Sequence, residues 1–416
     1  MYSAFSIAQV PFLMPGLPEK NNFSPERLQR IDKLVQQYID SNWITGAIAI
    51  VAKNGNIVYH KAMGYDDKEK NKPLQKDAIF RIASQTKAIT SVGVMMLWEE
   101  GKFLLDDAIS KYIPEFRKPQ VLDKFNKADT SYTTVPAKRE ITIRDLLTHT
   151  SGIGYAQIGN ETMNAMYYKA GVMGGIGLKG YTLADNIHTL AALPLIHQPG
   201  EKWTYGLNTD VLGYLIEVVS GLSLDQYFRK NIFEPLGMKD TYFYIPKEKH
   251  TRLAMLHSED KAKHVINTAE QINVNGNFYR DYPILEGGSF YSGGGGLVST
   301  AYDYAVFMQM LLNKGEYNGK RLLSPNSIRL MTINQIGDLN LGRAAKFGLG
   351  FQVVTEADEA RNTASLGSFS WGGMFASSYW IDPKEKMVAQ FVLQQYPMSH
   401  GELAEKFKIA VYQALR

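Results

Sequence analysis

The fold class predicted by this 416-residue sequence is α/β: an antiparallel sheet flanked by helices, with a helical insertion. Three observations predict it. A helix followed by a β-hairpin opens the chain, a β-hairpin followed by a helix closes it, and the long stretch between them carries mainly helical periodicity. Two hairpins that each come with a helix suggest one sheet built from both termini and covered by both terminal helices.

Met1 to Pro18 is apolar, has no charge before Glu19 and lacks the basic n-region of a complete signal peptide. Residues 1–20 therefore read as a tail or the remnant of a signal peptide. The second reading makes the protein periplasmic or secreted, with a cytoplasmic address as the alternative. Ser24-Pro25-Glu26 opens a helix with a capping hydroxyl, Pro at the first helical position and an acid in the first turn. Leu28, Ile31, Leu34, Val35, Tyr38 and Ile39 recur at helical spacing, and the helix ends near Asn42. Ala47 to Ala52 and Asn56 to His60 flank Asn54-Gly55, whose tolerance of positive φ favours a tight hairpin turn. Ala78 to Ile82 is a short strand-like run, followed by an apolar helix carrying Ile89, Val92, Val94, Met95, Leu97 and Trp98 that stops at Gly101. From about Leu104 to Tyr282 the strongest patterns are helical, notably Ile141 to Leu147 and Asp210 to Val219. Glycines punctuate Gly171 to Gly180 and Gly293 to Gly296. Near the end Ser377 to Ile381 and Met387 to Leu393 lie either side of Asp382-Pro383-Lys384. The last helix puts Leu403, Phe407, Ala410, Val411 and Ala414 on one face. The expected organisation is a sheet domain made of 21–105 and 283–416, with a mainly helical domain over 106–282.

The chain contains no cysteine, which excludes a disulfide scaffold, a thiolate nucleophile, an Fe–S cluster and a Cys-ligated zinc site. Its 45 basic and 41 acidic residues leave a formal charge of +4 without any block of five like charges. Neither nucleic acid nor an anionic membrane is predicted as a partner. No apolar run reaches about 18 residues, so no membrane span is expected. The oligomeric state is unknown at this level.

Several familiar signatures fail on context. G-x-S-x-G and H-E-x-x-H are absent. Gly175 to Gly180 matches G-x-G-x-x-G, but no strand precedes it, so it reads as a loop. His250, His257 and His264 recur every seven residues without a carboxylate pattern suited to a metal, which reads as a solvated stretch and not a metal site. Ser84-Gln85-Thr86-Lys87 is different. The serine stands at the start of an apolar helix, near the positive end of its dipole, and Lys87 lies one turn on, on the same face. Desolvation in an apolar interior favours a neutral amine, so the pair reads as a nucleophile beside a base.

Three further motifs follow in order. They are Ile141 to Gly152, containing Thr148-His149-Thr150-Ser151-Gly152; Pro199 to Gly206, containing Trp203-Thr204-Tyr205; and Gly294 to Thr300. With Arg81 to Lys87 they resemble the serine β-lactamase-like superfamily, in its class C β-lactamase, D-alanyl-D-alanine carboxypeptidase and family VIII carboxylesterase branch. The resemblance runs from about Ser24 to Leu415. It implies a β-lactamase/transpeptidase-like fold, with Ser84 as the acylated nucleophile, Lys87 as its proton partner and Tyr205 as base or proton shuttle. The family's Y-x-N element departs here: Leu207 occupies the Asn position and Asn208 stands one residue later. Trp371-Gly372-Gly373 resembles the W-G-G form that replaces K-T-G in family VIII carboxylesterases, with glycines that let substrate approach the strand. The resemblance then places the N–H groups of Ser84 and Met374 in an oxyanion hole, and Trp371, Gly372, Gly373, Tyr155, Tyr291 and Asn208 around the substrate. The T-H-T-S-G histidine, His149, supports a loop in this family and does not activate the serine.

The expected function is that of a serine hydrolase working through an acyl-enzyme on Ser84 without cofactor or metal, an esterase for small neutral esters. A small-molecule ester or amide is the expected partner. Trp371 in place of a lysine removes the cation that would hold a carboxylate, unless Arg343 or Lys346 reaches in. The alternatives are a β-lactamase or D-alanyl-D-alanine carboxypeptidase, an acyltransferase, and a non-catalytic penicillin-binding sensor.

Overall fold

A computed structural model describes residues 12–176, 180–268, 271–273, 277–342 and 344–416. Residues 1–11 of the tail, 177–179 of the G-x-G-x-x-G run, and Arg343 lie outside the described residues. The opening helix is Pro25–Asp40, and Ser24 Oγ accepts from the Arg27 N–H at 3.2 Å as its cap. The hairpin that follows pairs Gly46–Lys53 with Asn56–Asp67. Asn54 and Gly55 between them take φ of 53° and 78°, the positive values a two-residue turn with the strands' own twist requires.

Nine strands form the main sheet. Its order is Met14–Pro15, Asn56–Asp67, Gly46–Lys53, Met387–Val392, Ser377–Asp382, Phe369–Gly373, Gln352–Val353 and Lys346–Phe347, with Lys72–Pro73 off this path beside Asn56–Asp67. All neighbours are antiparallel except Met14–Pro15. The two ends of the chain meet at the centre, where Gln390 lies opposite Ile50. Period-2 alternation then divides the side chains. Ala47, Ala49, Val51, Met387, Ala389 and Phe391 face the terminal helices Pro25–Asp40 and Glu402–Tyr412, and Phe391 stacks on Phe407 at 4.7 Å. Ile48, Ile50, Ala52, Val388 and Val392 face the other way, into the larger core.

That larger core holds the helices Thr86–Glu99 and Ala301–Leu312, both buried nearly all round. Gly93 lets Thr86–Glu99 lie close to Asn208–Ser220, since a β-carbon there would stand 3.1 Å from Ile216 Cδ1. Between 106 and 282 the structure has helices at Ile143–Leu147, Glu161–Ala170, Leu183–Ala191, Asn208–Ser220 and Leu224–Phe228. It also has two-stranded hairpins, among them Gln120–Phe125 with Tyr132–Pro136 and His257–Glu259 with Val265–Asn267, within a stretch whose strongest sequence patterns are helical. The strand-like run before Ser84 shortens to Phe80–Arg81, paired with Val298–Ser299 outside the main sheet.

Candidate active site

Ser84 lies in a single 3-10 turn, Ala83–Gln85, that leads into the helix Thr86–Glu99. In the run from Ala78 to Met95 it is the one residue that is not buried. Ala83 before it has φ of 44°, a left-handed conformation that costs an L-residue roughly 1–2 kcal/mol and turns the chain sharply at the serine. Hydrogen bonds fix this turn from every side. The Ile82 N–H donates to Leu297 O at 3.1 Å, Tyr304 Oη to Gln85 O at 3.0 Å, and Gln390 Nε2 to Gln85 Oε1 at 2.8 Å. Arg81 is buried and donates to the carbonyls of Ala254 (2.8 Å) and Arg280 (2.7 Å), and burial lowers its pKa to about 10.

Lys87 is 2% exposed, and its Nζ has three partners. It donates to Gly294 O at 2.6 Å, Tyr155 Oη at 2.7 Å and Ser84 Oγ at 3.3 Å, and it lies 4.8 Å from the centre of the Tyr205 ring. Burial, reinforced by Tyr205 and Asp210, holds the Tyr155 phenol well above its ordinary range, so Tyr155 keeps its proton. The Gly294 carbonyl is available here because Gly293 and Gly294 pack on the helix Asn208–Ser220; a β-carbon on Gly293 would lie 2.6 Å from Thr209 O.

The opposite wall is aromatic. Trp371 Nε1 donates to Tyr205 Oη at 3.3 Å, and the two rings are 5.4 Å apart. Trp203, Phe347 and His149 complete the cluster. Burial, then the Lys87 charge, pushes the His149 imidazole well below its ordinary pKa, and its Nδ1 pairs with Asn208 Nδ2 at 2.9 Å. A neutral ring engaged in this way props the wall.

The strand Phe369–Gly373 carries Trp371 into this cluster and ends against the turn that holds Ser84. A β-carbon on Gly373 would lie 2.5 Å from Ile82 O, whereas one on Gly372 would meet only Ser377 O at 3.0 Å. The backbone that carries Ser84 therefore demands a glycine at 373, and Met374, the next residue, packs against the cluster of Ala83 and Phe375.

Ser84, Lys87, Tyr155, Tyr205 and Trp371 thus converge, with Gly372, Gly373 and Met374 along their edge. Two expected substrate contacts do not join them. Asn208 is fully buried; its Oδ1 accepts from Ser151 Oγ and its Nδ2 faces His149, because the shifted spacing turns it under the wall. Tyr291 lies against Phe243 and Tyr244 and lines a cavity with Arg229 and His250. Lys346 donates to the carbonyls of Gly337 (2.9 Å) and Leu339 (2.7 Å). Sequence reasoning missed the Gly294 carbonyl and the Gln85–Gln390 pair. The glycine run was visible, but nothing in its residue types says that a carbonyl would receive Lys87.

The Beta-lactamase family model matches residues 31–413. Protein Rv1367c of Mycobacterium tuberculosis is 34% identical over 380 residues, covering 87% of this chain and 89% of its own length. Esterase EstB of Burkholderia gladioli is 30% identical over 363 residues, covering 85% and 86%. Among solved structures, EstCE1, described as a hydrolase with promiscuous acyltransferase activity, superposes with a TM-score of 0.79 at 27% identity and covers 93% of this chain and 99% of its own.

Proposed function

The chain belongs to the Beta-lactamase family, a family of serine hydrolases and acyltransferases, and from that premise we propose that it is an esterase for small neutral esters acting through an acyl-enzyme on Ser84. The observation that carries the reading is the pairing of Ser84, the only opening in a buried run, with the amine of Lys87 at 3.3 Å. In this reading Lys87 and Tyr205 take the proton from Ser84 Oγ as it attacks the ester carbonyl. The N–H groups of Ser84 and Met374 receive the oxyanion, the leaving alcohol takes a proton from the Tyr205 side, and water then cleaves the acyl-enzyme. Trp371, standing where a carboxylate-binding lysine is found in penicillin-recognising relatives, supports a neutral substrate over a β-lactam. The segment 106–282 supplies Tyr155 and Tyr205, and we assign it as the insertion that closes the cleft over the sheet domain of 21–105 and 283–416.

Purified protein is expected to hydrolyse short p-nitrophenyl esters quickly and nitrocefin slowly, and Ser84→Ala to abolish both. Ester turnover that survives in Ser84→Ala overturns the nucleophile assignment; nitrocefin turnover faster than ester turnover overturns the substrate class. The acyltransferase activity named for EstCE1 favours one further reading, transfer to an alcohol in place of water. Transester product formed in the presence of a short alcohol tests it.

A further inference from the structure

We propose that Asp210 positions Lys87, by gripping the one residue whose carbonyl receives the Lys87 amine. The proposal rests on the reading in which Ser84 and Lys87 form the acylating pair. Asp210 stands in the first turn of the helix Asn208–Ser220 and has no exposed surface. Its Oδ1 accepts from Ser292 Oγ at 2.5 Å and from the Gly294 N–H at 3.3 Å. Gly294 O in turn accepts from Lys87 Nζ at 2.6 Å. Gly294 is therefore held at both ends, its N–H by the carboxylate and its carbonyl by the amine. The fit is close: a β-carbon on Gly294 would lie 2.3 Å from Asp210 Oδ2.

The other carboxylate oxygen shows that the grip is not the whole role. Asp210 Oδ2 is buried and has no hydrogen-bond partner among the described residues. An unsatisfied buried carboxylate oxygen is costly, and a residue kept only to hold Ser292 and Gly294 could be an amide or a hydroxyl. What a carboxylate adds is charge, and the Lys87 charge acts on it: burial raises the Asp210 pKa while Lys87 opposes that rise. The titratable groups that act electrostatically with Asp210 are Lys87 from the helix Thr86–Glu99 and Tyr155 from the loop after Ser151; Ser292 contributes a neutral hydroxyl. Asp210 thus sets both the place of the amine, through Gly294, and its electrostatic surroundings.

The test uses the full chain with Asp210→Ala, Asp210→Asn and Ser292→Ala, after circular dichroism has established folding. The first readout is the rate at which a fluorophosphonate probe labels Ser84, followed by intact mass, which reports the nucleophile whatever ester the enzyme prefers. The second is kcat and KM for p-nitrophenyl acetate across pH. Asp210→Ala is expected to slow labelling and kcat by about tenfold or more, the scale of one charged hydrogen bond, with KM within about twofold. The acid limb of kcat/KM is expected to move to lower pH, because removing a buried anion lowers the pKa of a base that works beside it. Asp210→Asn, which keeps the acceptor toward Ser292 and Gly294, should recover most of the rate and retain the displaced limb. Ser292→Ala should slow labelling without moving the limb.

A folded Asp210→Ala protein with wild-type labelling rate and an unmoved acid limb overturns the proposal. If that variant does not fold, an unmoved limb in Asp210→Asn overturns it. A wild-type protein that labels at Ser84 but turns over no ester overturns the esterase reading alone and leaves the labelling arm to judge Asp210. A wild-type protein that does not label overturns both.

Discussion

Replacing Gly373 by Ala tests the contact that sets the strand Phe369–Gly373 against the turn that holds Ser84. The new methyl carbon would lie 2.5 Å from Ile82 O and 2.5 Å from Ser377 Oγ. A carbon and a carbonyl oxygen rest at about 3.3 Å at closest, so strand and turn must part by roughly 0.8 Å. Ile82 has nowhere to go, since its own N–H is bonded to Leu297 O and the next residues are fixed by Tyr304 and Gln390. The displacement therefore falls on Met374 and on Ser84, two residues beyond Ile82. A misplacement of about 1 Å at reacting groups lowers rate about 100-fold, which corresponds to about 2.7 kcal/mol of transition-state stabilisation. Overpacking should also destabilise the protein by about 1–3 kcal/mol. Gly372→Ala is the internal control, because its methyl carbon would meet only Ser377 O at 3.0 Å. Steady-state kinetics on a p-nitrophenyl ester, with urea midpoints for both variants, should show Gly373→Ala slowed at least tenfold more than Gly372→Ala. Equal losses in the two variants, or a folded Gly373→Ala protein within about threefold of wild type, would refute the reasoning.

Tyr155→Phe removes a hydrogen bond of 2.7 Å from a buried amine; kcat should fall by about 10- to 100-fold with KM little changed, measured by the same kinetics. Asn208→Ala leaves Ser151 and the His149 ring without their partner, so urea denaturation should show a loss of about 1–3 kcal/mol while KM stays near wild type; a large rise in KM would instead place Asn208 against substrate. His60 is paired opposite Ile50, its Nε2 has no partner among the described residues, and burial, then the Lys76 charge, lowers its pKa to about 4. The unfolded chain binds that proton already near pH 6.5, so stability should be intact above that pH and decline as pH falls toward 4, by at most about 3 kcal/mol. Denaturant unfolding between pH 4 and 7 should show this slope in the wild type and a flatter one in His60→Phe.

The fold was legible where local and global demands coincide. Ser24 caps because its hydroxyl meets an orphan N–H, and Asn54-Gly55 turns because both residues accept positive φ; neither depends on the rest of the chain. The central strands were legible because burial on both faces leaves them nearly continuous in apolar residues. Lys346–Phe347 and Gln352–Val353 were not, since two-residue strands carry no periodicity and exist only because the sheet edge beside Phe369–Gly373 offers them partners. In the site, the residue types of Ser84, Lys87, Tyr205 and Trp371 could be read from motifs. The partners of Lys87 could not: Tyr155, 68 residues away, and Gly294, 207 away, reach it only through the packing of two helices. Asn208 shows the opposite failure. The asparagine is present but stands one residue late, with Leu207 at the motif position, and its amide lies beneath the wall against Ser151 and His149.

The same shift bears on the surroundings of Lys87. With Leu207 buried at the usual Asn position, the hydrogen-bond partners of Lys87 are a phenol that keeps its proton, a backbone carbonyl and the serine itself, all of them neutral. Across from it the wall is Trp203, Tyr205, Phe347, Trp371 and a neutral His149, and Lys346 is turned onto two carbonyls. A carboxylate entering this space would lose its hydration against aromatic rings, and Lys87 Nζ already has three hydrogen-bond partners. In the proposed reaction an ester carbonyl would need only the N–H groups of Ser84 and Met374, and its acyl and alcohol parts would gain from the same apolar wall. The proposed preference for a neutral substrate rests on which side chains surround Lys87, and the overall charge of +4 plays no part in it.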